Sequence, residues 1–218
     1  MWPTRYSMVF WGHPPYKAET VLPEVICSMD QAIGQSLSWH LEGRPDYPIP
    51  GLLGQWRAFT LERRSREDNS LNLCLDSPCG LSISLNLDAP HYVRDFDVLT
   101  IDLATKYLIG PQAAFSFDRL YTLFVQNIKL FQPFWATVWD GDLIVTDEFQ
   151  ALRLSSDTTK VPIAVHWMNF FGEGMSARLG GRDKLLSAPA YHVEELSNPL
   201  GVSLVLQYET FDRTFPLT

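Results

Sequence analysis

The stretch VPIAVHWMNFFGEGMSARLGG, residues 161–181, decides the fold of the chain. Its first half, 161–171, is an apolar run with few interruptions, which is typical of a strand buried on both faces. The glycines at 172 and 174 predict a tight turn after that strand. Residues 175–179 then predict a short helix that ends at Gly180. The stretch contains no reactive combination of side chains, so it indicates a fold and not an activity.

Strand patterns surround this stretch. Segments 71–76 and 81–87 alternate apolar and polar residues, and the turn between them predicts an antiparallel hairpin with one wet face. Segments 191–196 and 202–208 predict a second pair of strands. Further strands are predicted at 55–60, at 136–139, at 143–145 and in the N-terminal segment that holds Tyr6, Met8, Val9, Phe10 and Trp11.

Two segments have the three- and four-residue apolar spacing of an amphipathic helix. The first, 22–41, predicts a helix that ends before a proline-rich loop at 43–51. The second, 116–131, begins with Ser116 as the N-cap. Residues 93–109 fit either a helix or a short strand, and the length of the pattern favours the helix.

These patterns predict one α+β domain over residues 1–218, a mainly antiparallel sheet with two or three helices packed on one face. A chain of 218 residues can bury a sizeable core without disulfides or metals. Residues 1–50 are predicted to be an N-terminal elaboration of this domain.

The composition disfavours nucleic acids and membranes as direct partners. The net charge is −8, and the basic residues form no stripe of the kind that neutralises phosphates. No segment approaches the roughly 18 apolar residues of a membrane helix. The N-terminus does not have a signal-peptide pattern, and an odd count of three cysteines favours a reducing compartment. We therefore expect a cytoplasmic protein.

The sequence carries no motif for catalysis, metal binding or cofactor binding. The five histidines are scattered singly, and Cys74 and Cys79 do not have the spacing of a zinc half-site. The nucleophile elbow and the glycine-rich phosphate loops are also missing. We therefore expect no enzyme activity, no catalytic residues, no metal and no cofactor.

One region combines acidic and aromatic residues. Between Lys129 and Arg153 the sequence has no basic residue, and acids alternate there with aromatic side chains. Such a surface is typical of a site for a basic protein partner. The candidate partner-binding residues are Trp139, Asp140, Asp142, Asp147 and Glu148.

The same acids have other interpretations. A turn between two strands attracts Asp and Gly for backbone reasons, so these acids could form a solvated hairpin tip. Asp140 and Asp142 could instead bind a cation or carry out acid–base chemistry, which keeps a metal-dependent hydrolase open. A structural protein that self-associates through its aromatic N-terminus is a further alternative.

Four C-terminal segments resemble bacterial immunity proteins of polymorphic and type VI secreted toxins, in particular the immunity protein 52 family. The segments are VHWMNFF (165–171), ARLGG (177–181), AYHVEEL (190–196) and GVSLVLQY (201–208), and the resemblance covers mainly residues 130–210. It implies a cytoplasmic protein that binds and neutralises a cognate toxin, often a nuclease of restriction-endonuclease fold. It brings no catalytic residues. We therefore expect a basic nuclease effector as the partner, because an acidic inhibitor complements a basic cleft.

Overall fold

The computed structural model describes residues 4–13, 16–77, 80–88, 96–108, 113, 115–141 and 165–208. The strands in these ranges are β1 (Arg5–Gly12), β2 (His40–Leu41), β3 (Arg44–Pro48), β4 (Leu71–Asp76), β5 (Leu81–Leu87), β6 (Asp97–Ala104), β7 (Trp135–Asp140), β8 (Met168–Gly172), β9 (His192–Ser197) and β10 (Leu200–Val205). The helices are α1 (Ala18–Ile33), α2 (Trp56–Leu61), α3 (Phe117–Phe131), α4 (Glu173–Arg178) and α5 (Arg182–Leu186), with 3-10 turns at Leu53–Gln55 and Thr105–Tyr107.

The described strands form one sheet of ten, in the order β3-β2-β4-β5-β6-β1-β7-β8-β10-β9, and every neighbouring pair is antiparallel. β1 joins the two halves of this sheet, since Met8 lies opposite Ile101 on β6 and Val138 on β7. The first 50 residues, predicted as an elaboration, thus supply a central strand. The predicted α+β class with a mainly antiparallel sheet is confirmed.

The sheet has an apolar layer on each face. Tyr6, Met8 and Phe10 of β1 belong to the larger core, which also contains the buried side chains of α1, α2 and α3. Val9 and Trp11 point the other way, into a second core that includes Met175 of α4 and is lined by leucines of α5. Helices therefore lie on both faces. The prediction of helices on one face is corrected, because alternate residues of β1 and β7 are apolar on both sides.

The two predicted hairpins are confirmed. β4 and β5 pair with Leu73 opposite Leu85, and their other side chains form the predicted wet face. β9 and β10 pair around Asn198 and Pro199. The strand of the 161–181 stretch is described only as β8, which is buried along its whole length, and α4 follows it as predicted. The predicted strand at 143–145 lies outside the described residues.

The helix predicted over 22–41 is shorter in the structure, and the prediction of a loop at 43–51 is wrong. α1 ends at Ile33 because Gly34 adopts a left-handed conformation with φ of 82°. The Asp30 carboxylate then accepts the backbone N–H of Leu37 at 3.2 Å and the indole N–H of Trp39 at 3.4 Å. These bonds hold the chain reversal, and the residues that follow form β2 and β3.

Two further predictions are wrong in type of element. Segment 55–60 was predicted as a strand but forms α2, because Trp56, Phe59 and Thr60 share the buried side at helical spacing. Segment 93–109 was predicted as a helix, yet 97–104 forms β6. Its alternate residues Leu99 and Ile101 fit into the larger core, which decides in favour of the strand. The helix at 116–131 is confirmed as α3, with Ser116 Oγ accepting the N–H of Arg119 at 3.3 Å.

Gly201 lies on β10 opposite Gly172 of β8. A Cβ at this position would be 2.5 Å from the carbonyl oxygen of Phe171 and 2.6 Å from the ring of Phe170. We expect Gly201→Ala to lower the free energy of unfolding by about 1–3 kcal/mol, the usual cost of overpacking. Urea unfolding measures this change. The matched control is Gly174→Ala in α4, where the added methyl meets no atom within 4 Å; equal stability of the two variants would contradict this packing.

Candidate protein-interaction site

Four aromatic rings form a partly exposed cluster at one end of the sheet, which we call the aromatic patch: Phe117, Tyr121, Tyr191 and Tyr208. The Phe117 ring lies 6.0 Å from Tyr121, 5.6 Å from Tyr191 and 5.1 Å from Tyr208. Tyr191 and Tyr208, 5.5 Å apart, are each 55% exposed. Large rings held rigidly at a surface are the side chains most often found at the energetic centre of protein interfaces.

The sequence assembles the patch from three elements. Phe117 and Tyr121 are one turn apart in the first half of α3, so they share one face of that helix. Tyr191 directly precedes β9, and Tyr208 follows β10 by three residues. Because β9 and β10 form a hairpin, both tyrosines return to the same end of the sheet. The backbone N–H of Tyr191 donates to the carbonyl of Leu206 at 3.3 Å and fixes this arrangement.

Hydrogen bonds anchor the patch to β9 and β10. The Tyr121 hydroxyl lies 2.8 Å from Glu194 Oε2 and 3.1 Å from Oγ of the buried Ser203. Burial raises the pKa of Tyr121, and the hydrogen bond and charge of Glu194 raise it further. The hydrogen bond with Ser203 lowers this pKa but does not cancel the increase. The hydroxyl therefore stays protonated at neutral pH and serves as a donor to the carboxylate. His192 lies beside these two residues. The centre of its ring is 5.0 Å from that of Tyr121, and its Nε2 is 3.5 Å from Oε2 of Glu194.

Acidic side chains lie on both sides of β9. Glu194 faces the aromatic patch, whereas Glu195 faces α5 and pairs with Arg182 at 2.6 Å. Both carboxylate side chains keep partial exposure, 45% for Glu194 and 38% for Glu195. In the sequence, residues 185–212 contain four acids and neither Lys nor Arg. This end of the sheet therefore combines exposed aromatic rings with negative charge.

The predicted partner-binding residues are placed only in part. Trp139 is 6% exposed, with its ring in edge contact with Trp11 at 6.3 Å and His166 at 4.9 Å. It is a core residue and not a surface anchor, because odd-numbered residues of β7 point into the second core. Asp140 is half-buried at the end of β7, opposite Tyr6. The other predicted residues, Asp142, Asp147 and Glu148, lie outside the described residues.

Asp140 and the aromatic patch lie at the same end of the sheet. β7 ends at Asp140, β10 ends at Val205, and β9 begins at His192. Because β8 and β10 separate β7 from β9, the two locations are about 14 Å apart at the usual strand spacing. Asp140 and the aromatic patch are therefore close enough to lie within one interface of ordinary size.

An open cleft of about 490 Å³ lies at the opposite end of the sheet. Its walls include His13, Tyr16, Phe134 and Glu173, and the imidazole of His13 stacks on Phe134 at 4.7 Å. Burial and the charge of Asp97 raise the pKa of Tyr16, so its hydroxyl is neutral. We take the aromatic patch as the candidate site because it joins exposed rings to acidic side chains.

The described residues contain no group of three or more His, Cys, Asp or Glu side chains that could hold a metal ion. Among the helices in the described ranges, none has the length and apolar content needed to cross a membrane.

The fold and the patch define an α+β protein with one large antiparallel sheet and a candidate protein-binding end. A solved structure of the Pseudomonas aeruginosa type VI secretion system (T6SS) protein PA0821 shares this fold, with a TM-score of 0.62. The two chains are 14% identical over an alignment that covers 94% of this chain and 66% of that chain. This chain therefore spans just under two thirds of the length of PA0821.

No protein-family model and no curated protein sequence matches the chain. The resemblance to the immunity protein 52 family therefore stays a prediction.

Proposed function

We propose that the chain is a T6SS immunity protein that binds a cognate toxin and neutralises it by stoichiometric contact. The observation that carries the proposal is the aromatic patch with Glu194 beside it, at the exposed end of a fold shared with a T6SS protein. In this proposal the protein acts in the cytoplasm by occupying a surface of the toxin. It needs no catalytic residue and no cofactor of its own.

The chemistry of the patch suits a basic partner. Tyrosine rings bury a large area and lose little side-chain entropy on binding. The acids on β9 and the net charge of −8 attract a positively charged surface and speed its association. A nuclease presents such a surface because it must bind phosphates. We therefore propose a nuclease effector, of the restriction-endonuclease fold that the resemblance implies, as the toxin.

The experiment that tests this function uses the product of the gene adjacent to that of this chain as the candidate effector, which we call the adjacent-gene effector. Calorimetric titration of that effector with this chain should give a one-to-one complex whose affinity falls as salt increases. The same complex should have lost the nuclease activity of the free effector. An effector that neither binds nor loses activity overturns the proposal.

The acidic region after β7 makes a second contribution to the proposed interface. β7 ends at Asp140, and Asp142 follows two residues later in the sequence; in this proposal their negative charges face the basic partner. We expect the double reversal Asp140→Lys with Asp142→Lys to weaken effector binding by at least tenfold, measured by the same titration. The matched control reverses two acids near α2, Glu62→Lys with Glu67→Lys, which should bind as the unmodified protein does. Equal affinities of the two double variants would remove the acidic region from the interface.

A further inference from the structure

The sheet has two outer strands that differ in their capacity to accept another strand. β3, at one edge, contains Pro45 and Pro48, which carry no N–H and hinder pairing. β9, at the other edge, has the sequence HVEELS with no proline. Among the residues that the structure describes, β10 is the one strand that pairs with β9. The outer side of β9 is thus available in this part of the chain.

The register of the hairpin shows which backbone groups point outward. The N–H of Leu206 donates to the carbonyl of Trp167 beside β8, so Leu204 and Val202, which alternate with it, also point their backbone groups toward β8. Gly201, Ser203 and Val205 therefore point toward β9, and each forms a hydrogen-bonded pair with the residue opposite it, Leu196, Glu194 and His192 respectively. The N–H and C=O groups of the residues between them point away from β10. Those residues are Val193 and Glu195.

We infer that the outer edge of β9 receives an extended segment of the toxin as an additional strand. This inference rests on the proposed function and specifies how the toxin contacts this chain. Main-chain hydrogen bonds would supply affinity and flanking side chains would supply selectivity. The incoming strand would lie directly beside the aromatic patch, because Glu194 connects β9 to Tyr121. The patch and the edge would then form one continuous contact.

The charges of β9 specify the chemistry of this strand. Glu194 and Glu195 point to opposite faces of the sheet, so a neighbouring strand meets an acid on each face. Opposite charges directly across a ladder stabilise the pair, and like charges destabilise it. A second copy of β9 would bring glutamates against glutamates, which disfavours a dimer through this edge. Because Glu195 is already paired with Arg182, a segment with Lys or Arg opposite Glu194 fits best.

A pair of substitutions separates backbone pairing from side-chain charge. Glu195→Ala and Glu195→Pro both remove the carboxylate, but only the proline removes the outward N–H. Proline is tolerated at edge positions whose N–H faces solvent, so both variants should keep the far-UV spectrum of the native protein. We expect Glu195→Pro to bind the adjacent-gene effector at least tenfold more weakly than Glu195→Ala. Equal affinities would overturn the strand addition and leave the proposed function intact, because binding itself would persist.

Hydrogen exchange on the unmodified protein tests the same inference without a substitution. The amides of Val193 and Glu195 should exchange quickly in the free protein and become protected in the complex. Protection confined to other residues would contradict pairing at this edge. An unmodified protein that does not bind the effector at all would instead contradict the proposed function, so the two failures are distinguishable.

Discussion

Replacement of Tyr191 and Tyr208 together by alanine is expected to weaken binding of the adjacent-gene effector by about a hundredfold or more. Each ring is 55% exposed and packs on Phe117, so each can be buried by a partner without rearrangement. Truncation of a central aromatic residue at an interface costs on the order of 2 kcal/mol or more, which is about thirtyfold for one residue. Calorimetric titration of the double variant measures the loss.

The control for this variant is Tyr47→Ala. Tyr47 is also an exposed tyrosine, 36% accessible, but it lies on β3 at the far edge of the sheet. Its truncation should leave the affinity unchanged. Normal binding by the double variant together with weak binding by Tyr47→Ala would place the interface at the β3 edge of the sheet. That result would contradict the aromatic patch as the binding site.

Acidification is expected to destabilise the fold through His166. Burial lowers the pKa of His166 to about 4, whereas the unfolded chain has a histidine pKa of about 6.5. The unfolded state therefore takes up a proton first, and the stabilisation present above pH 6.5 is lost as the pH falls towards 4. The loss is about 3 kcal/mol at most, because the imidazole keeps some solvent contact.

Urea unfolding at pH 7, 5.5 and 4 measures this effect. The imidazole of His166 lies 4.9 Å from Trp139 and can be replaced by a neutral amide in His166→Gln. The variant should lose less stability between pH 7 and pH 4 than the unmodified protein. The same loss in both proteins would assign the acid sensitivity to other groups.

The sequence predicted the elements whose periodicity agrees with their final environment. β4 and β5 alternate because one face of the hairpin is apolar and the other wet, and α3 repeats its apolar residues every turn beneath the sheet. β6 was missed because apolar residues at 96, 99, 103 and 107 also fit a helix. This segment forms a strand because it pairs with β5 on one side and β1 on the other. The spacing of apolar residues within the segment does not reveal that pairing.

The residues predicted for the site differ from the residues of the aromatic patch. Acids mixed with aromatics pointed to the end of β7, and Asp140 lies at the same end of the sheet as the aromatic patch. Trp139 was predicted to be a surface residue. Because β7 is buried on both faces, its sequence does not alternate polar and apolar residues, and such an alternation would have shown which side chains are buried. The signal for Tyr191 and Tyr208 was present: they are the first residue of one predicted strand and the last residue of the next, and a hairpin brings such residues together. Phe117 joins them only through the packing of α3, which the sequence does not reveal.

Neutralisation of the effector in living cells tests the central claim most directly. The effector encoded beside this gene is expressed in a host bacterium with and without this chain, and growth is recorded. We expect the effector to stop growth alone, growth to recover with the unmodified chain, and the Tyr191→Ala, Tyr208→Ala variant to restore it poorly. Continued arrest in the presence of the unmodified, stably expressed chain would contradict the account.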